Sequence, residues 1–263
     1  MSIPNVLSIA GSDPSGGAGI QADLKTFCAN NVYGMAVITA LTAQNTNGVH
    51  AVYDIPALFV EDQIRAILDD IKVDAVKIGM LARADIIEAV ARVLKLYNIK
   101  NIVLDPVMVA TSGDPLIASD AIEAMKEYLI PVADVITPNI PEAEKLSRKA
   151  VLDMEVAASG LLELGAKAVF LKGGHLKSEI AQDVLATAKG VTTFEAMRVN
   201  TENTHGTGCT LSSAIAANLA KGQALDDACS NAKAYLTKAL KHADELNVGN
   251  GFGPVYHARG GGA

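Results

Sequence analysis

Short apolar, β-branched runs alternate with longer helical patterns along most of this chain, and that alternation restricts its fold more than any other feature. Strands are expected at 6–10, 36–41, 75–78, 102–104, 135–137 and 168–172, with a weaker late pair at 184–186 and 194–199. Helices are expected at 18–30, 58–71, 84–97, 120–128, 142–146, 152–164, 211–221 and 224–246. Within 58–71 the apolar positions Leu58, Ile64, Ile67, Leu68 and Ile71 are expected to share one face. Strands alternating with helices point to an α/β fold with a mostly parallel sheet covered on both sides. No repeat, low-complexity stretch or linker divides the chain, so a single domain is expected over 1–258, with 259–263 as a disordered tail.

Distinctive residues cluster just after successive strands. They are Gly11-Ser12-Asp13, Thr42-Ala43-Gln44-Asn45, Gly79-Met80, Asp105-Pro106-Val107, Thr137-Pro138-Asn139 and Gly173-Gly174-His175. In an open parallel sheet such strand ends share one edge, and ligands bind along it.

The totals remove several function classes. A net charge of −7 argues against a nucleic-acid groove or an anionic membrane surface, while leaving room for a locally positive pocket. Three widely spaced cysteines, Cys28, Cys209 and Cys229, read as reduced thiols, with Cys28 and Cys229 expected in the core. No run approaches 18 apolar residues, and residues 1–5 lack the basic and apolar regions of a signal peptide. A cytoplasmic location is therefore expected.

The run Asn203-Thr204-His205-Gly206-Thr207-Gly208-Cys209-Thr210 leads into a helical pattern. Glycines at a helix start let backbone N–H groups converge, and the helix dipole adds partial positive charge, so the segment suits a phosphate. A cysteine on the first turn is expected to have a lowered thiol pKa. A helix cap would explain the glycines as well, and a buried inert cysteine is the commonest role for that residue. His205 could polarise the thiol or cap the loop.

The glycine-rich segment 11–19 lacks the GK[ST] ending of a P-loop and the spacing of a dinucleotide fold, and it reads equally as a tight turn or a binding loop. Asp23, one turn into the next helix, lies within reach of a ligand held there. Asp105, Asn139 and Glu142 are oxygen donors at adjacent strand ends and suit magnesium with substrate phosphates, although Asn139 could equally cap its helix. Lys172 ends a strand where a cation could neutralise polyphosphate, and it could equally be an exposed strand-end lysine. His175 is expected to be structural.

Taken together, AGSDPSGGAGIQAD at 10–23, TAQNT at 42–46, KIGML at 77–81, LDPVM at 104–108, TPNIPEA at 137–143, KGGH at 172–175 and NTHGTGCT at 203–210 cover nearly the whole chain. In this order they resemble the hydroxymethylpyrimidine/phosphomethylpyrimidine kinases of thiamin biosynthesis, within the ribokinase-like superfamily. The resemblance implies a three-layer α/β/α domain, ATP and Mg2+ as cofactors, and a homodimer. It implies phosphoryl transfer to a pyrimidine hydroxymethyl group and then to the resulting monophosphate. Gly11, Asp23, Gln44, Met80 and Val107 would line the pyrimidine pocket. Asp105, Asn139 and Glu142 would organise the metal, and Thr137 and Lys172 would lie near the nucleotide phosphates. Gly206, Gly208 and Cys209 would hold the transferring phosphoryl, with Cys209 standing where related sugar kinases carry an aspartate base.

Three departures stand out: a short basic stretch at 145–154, Asn200, and residues Phe252 and Tyr256 near the end. The first and third are expected to lie away from the chemistry. A pyridoxal or pyridoxine kinase is the nearest alternative activity. A non-catalytic sensor is disfavoured by the retained Asp105, Glu142, Lys172 and Cys209. A nicotinamide oxidoreductase is disfavoured because Leu211 stands where a third glycine would be needed.

Overall fold

The computed structural model describes residues 2–108, 117–174, 176 and 178–261. Its strands are β1 (Asn5–Ala10), β2 (Tyr33–Ile38), β3 (Ala40–Asn45), β4 (Gly48–Asp54), β5 (Ala75–Ile78), β6 (Ile102–Leu104), β7 (Val135–Ile136), β8 (Ala168–Lys172), β9 (Ile180–Thr187) and β10 (Gly190–Met197). The α-helices are α1 (Gly19–Ala29), α2 (Ala57–Leu68), α3 (Ala84–Leu96), α4 (Ser119–Ala124), α5 (Ile140–Ser147), α6 (Met154–Leu161), α7 (Thr207–Ala220), α8 (Leu225–Lys241) and α9 (His257–Gly260). Eight strands form one sheet in the order β10-β9-β8-β7-β6-β5-β1-β2. Pairings from β2 through β8 are parallel, while β9 and β10 join antiparallel.

Alternation along the strands builds a core on each face of the sheet. Leu7, Ile9, Val76, Ile78, Leu104 and Ile136 point into the core shared with α2, α3 and α4. Val6, Ala75, Val103, Val135 and Phe170 point into the core shared with α1, α7 and α8. This is the three-layer α/β/α arrangement. In α7 every residue from Thr210 to Asn218 is buried, which fits its small side chains: a helix enclosed on all sides can present no polar face to water. That packing sets the N-terminus of α7 at the sheet edge where β1, β5, β6, β7 and β8 end.

Several expectations need correction. The run 36–41 is not one strand. β2 stops at Ile38, and Thr39 bends the chain by donating its N–H to Ala10 and its hydroxyl to Met80. The chain then enters a separate hairpin, β3–β4, with an irregularity at Ala43/Gln44, so Thr42–Asn45 is strand rather than a strand-end loop. Leu58 is 71% exposed, because it lies six residues from Ile64 and thus about 240° around the helix from it. The expected helix start at 152 moves to Met154, where the Asp153 side chain caps two N–H groups. Cys28 is exposed, since the adjacent Phe27 takes the inward position on α1. The expected tail is ordered in part: Arg259 and Gly260 belong to α9, Gly260 is buried, and Lys238 donates to the Gly261 carbonyl.

Candidate active site

A cavity of about 590 Å³ opens along the edge where the parallel strands end. Its wall gathers Gly11, Gln44, Met80, Val107, Asp105, Asn139, Glu142, Lys172, Gly206, Gly208 and Cys209 from across the chain. Two of the expected site residues are not on that wall. Asp23 is fully buried beneath it, because Ser8, Ser213 and the Lys77 ammonium occupy its carboxylate. Thr137 is also buried and donates its hydroxyl to Asp105 Oδ1 at 3.0 Å. Both act behind residues that face the cavity. His175 lies outside the described residues.

The glycine-rich loop is shaped by Asp13. Its carboxylate accepts N–H bonds from Ser15, Gly17 and Ala18, the Ser15 hydroxyl, and a 2.8 Å contact from His205 Nε2. Burial opposes the charge on Asp13, but these donors hold its carboxyl well below the usual carboxylate range. His205 is thus a clasp between the glycine loop and the loop before α7, rather than a partner of the thiol. At Gly206 the backbone has φ of +77°, and a Cβ would stand 1.8 Å from the Gly17 carbonyl oxygen, so the two loops meet at a distance that only glycine allows. Among the described residues the N–H groups of Gly206, Gly208 and Cys209 have no acceptor, which leaves three donors at the start of α7. A Cβ on Gly208 would be 3.3 Å from Lys172 Nζ and 3.4 Å from Asp105 Oδ2. The helix start therefore abuts the charged cluster.

In that cluster Lys172 Nζ lies 2.7 Å from Asp105 Oδ1 and 3.9 Å from Glu142 Oε2. Burial disfavours the charged form of Asp105, yet Lys172 and Lys77 outweigh it and keep its carboxyl below the ordinary value. For Glu142, burial, with the nearby Asp105 charge, prevails over Lys172 and pushes the carboxyl up to about 7. Asn139 and Glu142 form a reciprocal capping box at the start of α5, with bonds of 2.8 and 2.9 Å. The cap reading of Asn139 thus holds alongside its place on the cavity wall.

The thiol departs from expectation. Burial pushes Cys209 up to about 11, and Asp23 and Asp105 add to the shift. Lys77 and a backbone hydrogen bond from Gly19 pull the other way without overcoming it. A helix start lowers a thiol pKa only where desolvation does not dominate.

Lys77 and the Asp183–Lys233 pair were not given roles by sequence. Lys77 shows no exposed surface, lines the cavity floor and pairs with Asp23 at 2.8 and 2.9 Å. Its signal was a lysine inside a four-residue strand buried on both faces, a place where a charge must find a partner. Lys233 of α8 lies 2.6 Å from Asp183, which also accepts the Gly173 N–H, steadying the backbone beside Lys172. Of the two segments expected to lie away from the chemistry, one reaches the cavity and the other supports a residue on its wall. Lys145 reaches the cavity wall, and Gly253 accepts the His205 N–H.

The wall offers Gly11, Gln44 and Met80, and apolar side chains at Met197, Val199, Leu236 and Leu240. The start of α7, with its free N–H groups, lies on the same wall beside the lysine–carboxylate cluster. Residues 13–256 match the family model described as phosphomethylpyrimidine kinase. The chain is 52% identical over 257 residues to the hydroxymethylpyrimidine/phosphomethylpyrimidine kinase of Salmonella typhimurium, covering 96% of this chain and 97% of that one. It is similar to the crystal structure of phosphomethylpyrimidine kinase from Clostridium difficile, with a TM-score of 0.81 and 46% identity over 90% of this chain and 100% of that one. It is also similar to an ADP complex of Bacillus subtilis pyridoxal kinase, with a TM-score of 0.89 and 42% identity over 98% of each chain.

The raised thiol pKa predicts slow alkylation of Cys209 by iodoacetamide at pH 7. The rate should climb about tenfold per pH unit from pH 8 to 10, followed by peptide mass mapping with Cys28 as the exposed control. A rate that levels off by pH 8 would contradict the burial effect.

Proposed function

We propose that this chain, which belongs to the phosphomethylpyrimidine kinase family, uses ATP to phosphorylate 4-amino-5-hydroxymethyl-2-methylpyrimidine and then its monophosphate, in thiamin biosynthesis. It is a phosphotransferase. The observation that carries the reading is one cavity in which an acceptor end and an apolar nucleotide slot meet at the free N–H groups of Gly206, Gly208 and Cys209.

In this reading the pyrimidine ring lies among Gly11, Met80 and Val107. The Gln44 amide both donates to a ring nitrogen and accepts from the exocyclic amine. The adenine occupies the slot against Leu236 and Leu240. Lys172 neutralises charge on the transferring phosphoryl, and the three N–H groups hold its oxygens, each such donor contributing about 2.7–4 kcal/mol to the transition state. Asp105 and Glu142 fit a magnesium ion, because Mg2+ takes one or two carboxylates and completes its shell with waters and nucleotide phosphates. When bound, the ion would neutralise charge on the β- and γ-phosphates. Asn139 holds Glu142 in place through the capping box.

The hydroxymethyl oxygen attacks the γ-phosphorus in line, the bond to ADP breaks, and the hydroxyl proton leaves late to Cys209 in its thiolate form. The transition state is loose, so positioning and charge carry most of the catalysis.

The outward face of the β3–β4 hairpin pairs Leu41 with Tyr53, and Leu58 and Phe59 follow at the start of α2; all four are exposed. A second copy of this chain would cover that patch, giving a homodimer. Among the described residues no helix is long and apolar enough to cross a membrane, and the proposed setting is the cytoplasm. Likeness to the pyridoxal kinase fold favours pyridoxal as a second acceptor, tested by running both acceptors in one coupled assay.

The second acceptor is a phosphate oxygen already ionised near neutral pH, with a second pKa of about 6. It needs no base. Cys209→Ala, which keeps the backbone N–H, should therefore slow turnover of the hydroxymethyl acceptor about 10²–10⁴-fold. Turnover of the monophosphate should fall less than about tenfold, with the KM for ATP unchanged. In the wild type the first transfer should speed up as pH rises from 7 toward the thiol value, and the second should not. Equal losses on both acceptors, or an unchanged first step, would restrict Cys209 to its N–H. Light scattering should give twice the chain mass, and Tyr53→Lys with Phe59→Lys should give a single chain; a wild type of single-chain mass would contradict the dimer.

A further inference from the structure

Lys77 has more hydrogen-bonding capacity than its partner uses. An ammonium carries three N–H donors. Two of them reach the Asp23 oxygens at 2.8 and 2.9 Å, and among the described residues the third has no acceptor. The side chain is fully buried, yet it forms part of the cavity wall. Its position behind the cavity wall is fixed by its neighbours. A Cβ on Gly79 would stand 2.8 Å from Lys77 Nζ and 2.9 Å from the Ala10 side chain, so the ammonium lies against the ends of β1 and β5, next to Gly11 and Met80. Its charge is felt by both Cys209 and Asp105. The ammonium thus lies beside the ends of β1 and β5 and close enough to Cys209 and Asp105 for its charge to act on both.

We propose that Lys77 is a catalytic residue whose free N–H donates to the acceptor oxygen in both transfers, with Asp23 as its positioning partner. The inference rests on the kinase reading above. As the acceptor oxygen bonds to the γ-phosphorus, the bond to ADP breaks and ADP keeps its electron pair. The hydroxyl proton of the first acceptor goes to Cys209, and the second acceptor has none to lose. Lys77 keeps its own proton throughout, held by the Asp23 carboxylate, and its charge steadies the oxygen as it becomes the attacking group. The Ser8 and Ser213 hydroxyls, at 2.6 and 2.7 Å from Asp23, fill the remaining lone pairs and aim the carboxylate at Lys77.

Lys77→Met alone would strand a buried carboxylate, so the informative variant is Lys77→Met with Asp23→Asn, which removes both charges and keeps an acceptor for the serines. Loss of one such donor lowers kcat about 10²–10³-fold. The double variant should show that loss with both acceptors while its KM for ATP moves less than about threefold. A kcat within threefold of wild type would overturn the assignment. If the variant does not fold, wild-type protein carrying 15N-lysine provides the second reading: the Lys77 Nζ resonance should shift on adding the aminopyrimidine, and shift again with its monophosphate. A resonance unmoved by either would overturn it equally. Wild-type enzyme inactive on the aminopyrimidine would remove the kinase reading and this inference together, whereas an active wild type beside an equally active variant removes only the role of Lys77.

Discussion

The geometry of the site depends on the pairing of a lysine and an aspartate that have no exposed surface. Lys77 comes from β5 and Asp23 from α1, while Ser8 of β1 and Ser213 of α7 complete the carboxylate. Removing two ions from water costs several kcal/mol each, and only close pairing with full hydrogen bonding offsets that cost. The four elements are therefore held in one relation. Since α1 begins at the end of the glycine loop and α7 at the loop holding His205 and Gly206, the same pair fixes how those two loops meet.

A second clasp acts at the rim. Asp13 and His205 are 192 residues apart in sequence and meet at 2.8 Å, with Gly206 pressed against the Gly17 carbonyl beside them. The end of the chain reinforces this contact. Gly253 accepts the His205 N–H, and Phe252 donates to the carbonyl of Thr46 in the hairpin turn. Buried His257, held neutral by a pKa pushed down by burial to about 4, contacts the Thr210 hydroxyl. The loop before α7, the β3–β4 hairpin and the last helix thus form one connected frame, and the residues near 252 belong to the support of the cavity.

Much of the fold was legible because strands buried on both faces must read as apolar runs, and those runs ended in glycines, acids and lysine along one edge. Gly11, Asp105, Glu142 and Lys172 were found that way, Gly206 from the glycines at a helix start, and the structure brings them to one cavity. What escaped depended on distant partners. Asp23 looked like a ligand contact because nothing local showed that Lys77, 54 residues away, would claim it. The Cys209 thiol looked activated because its helix start was visible and its desolvation was not. Thr39 looked like mid-strand because its bend is set by bonds to Ala10 and Met80 rather than by its own propensity.

The central claim is that one cavity passes the γ-phosphoryl of ATP twice, first to an alcohol and then to the phosphate it has made. Phosphorus NMR of a single reaction with ATP, Mg2+ and the aminopyrimidine reads this directly. A monoester resonance should rise and then give way to the paired resonances of a diphosphate ester as ADP accumulates. A reaction that yields only ADP and inorganic phosphate, or that stops at the monoester with ATP still present, would contradict it.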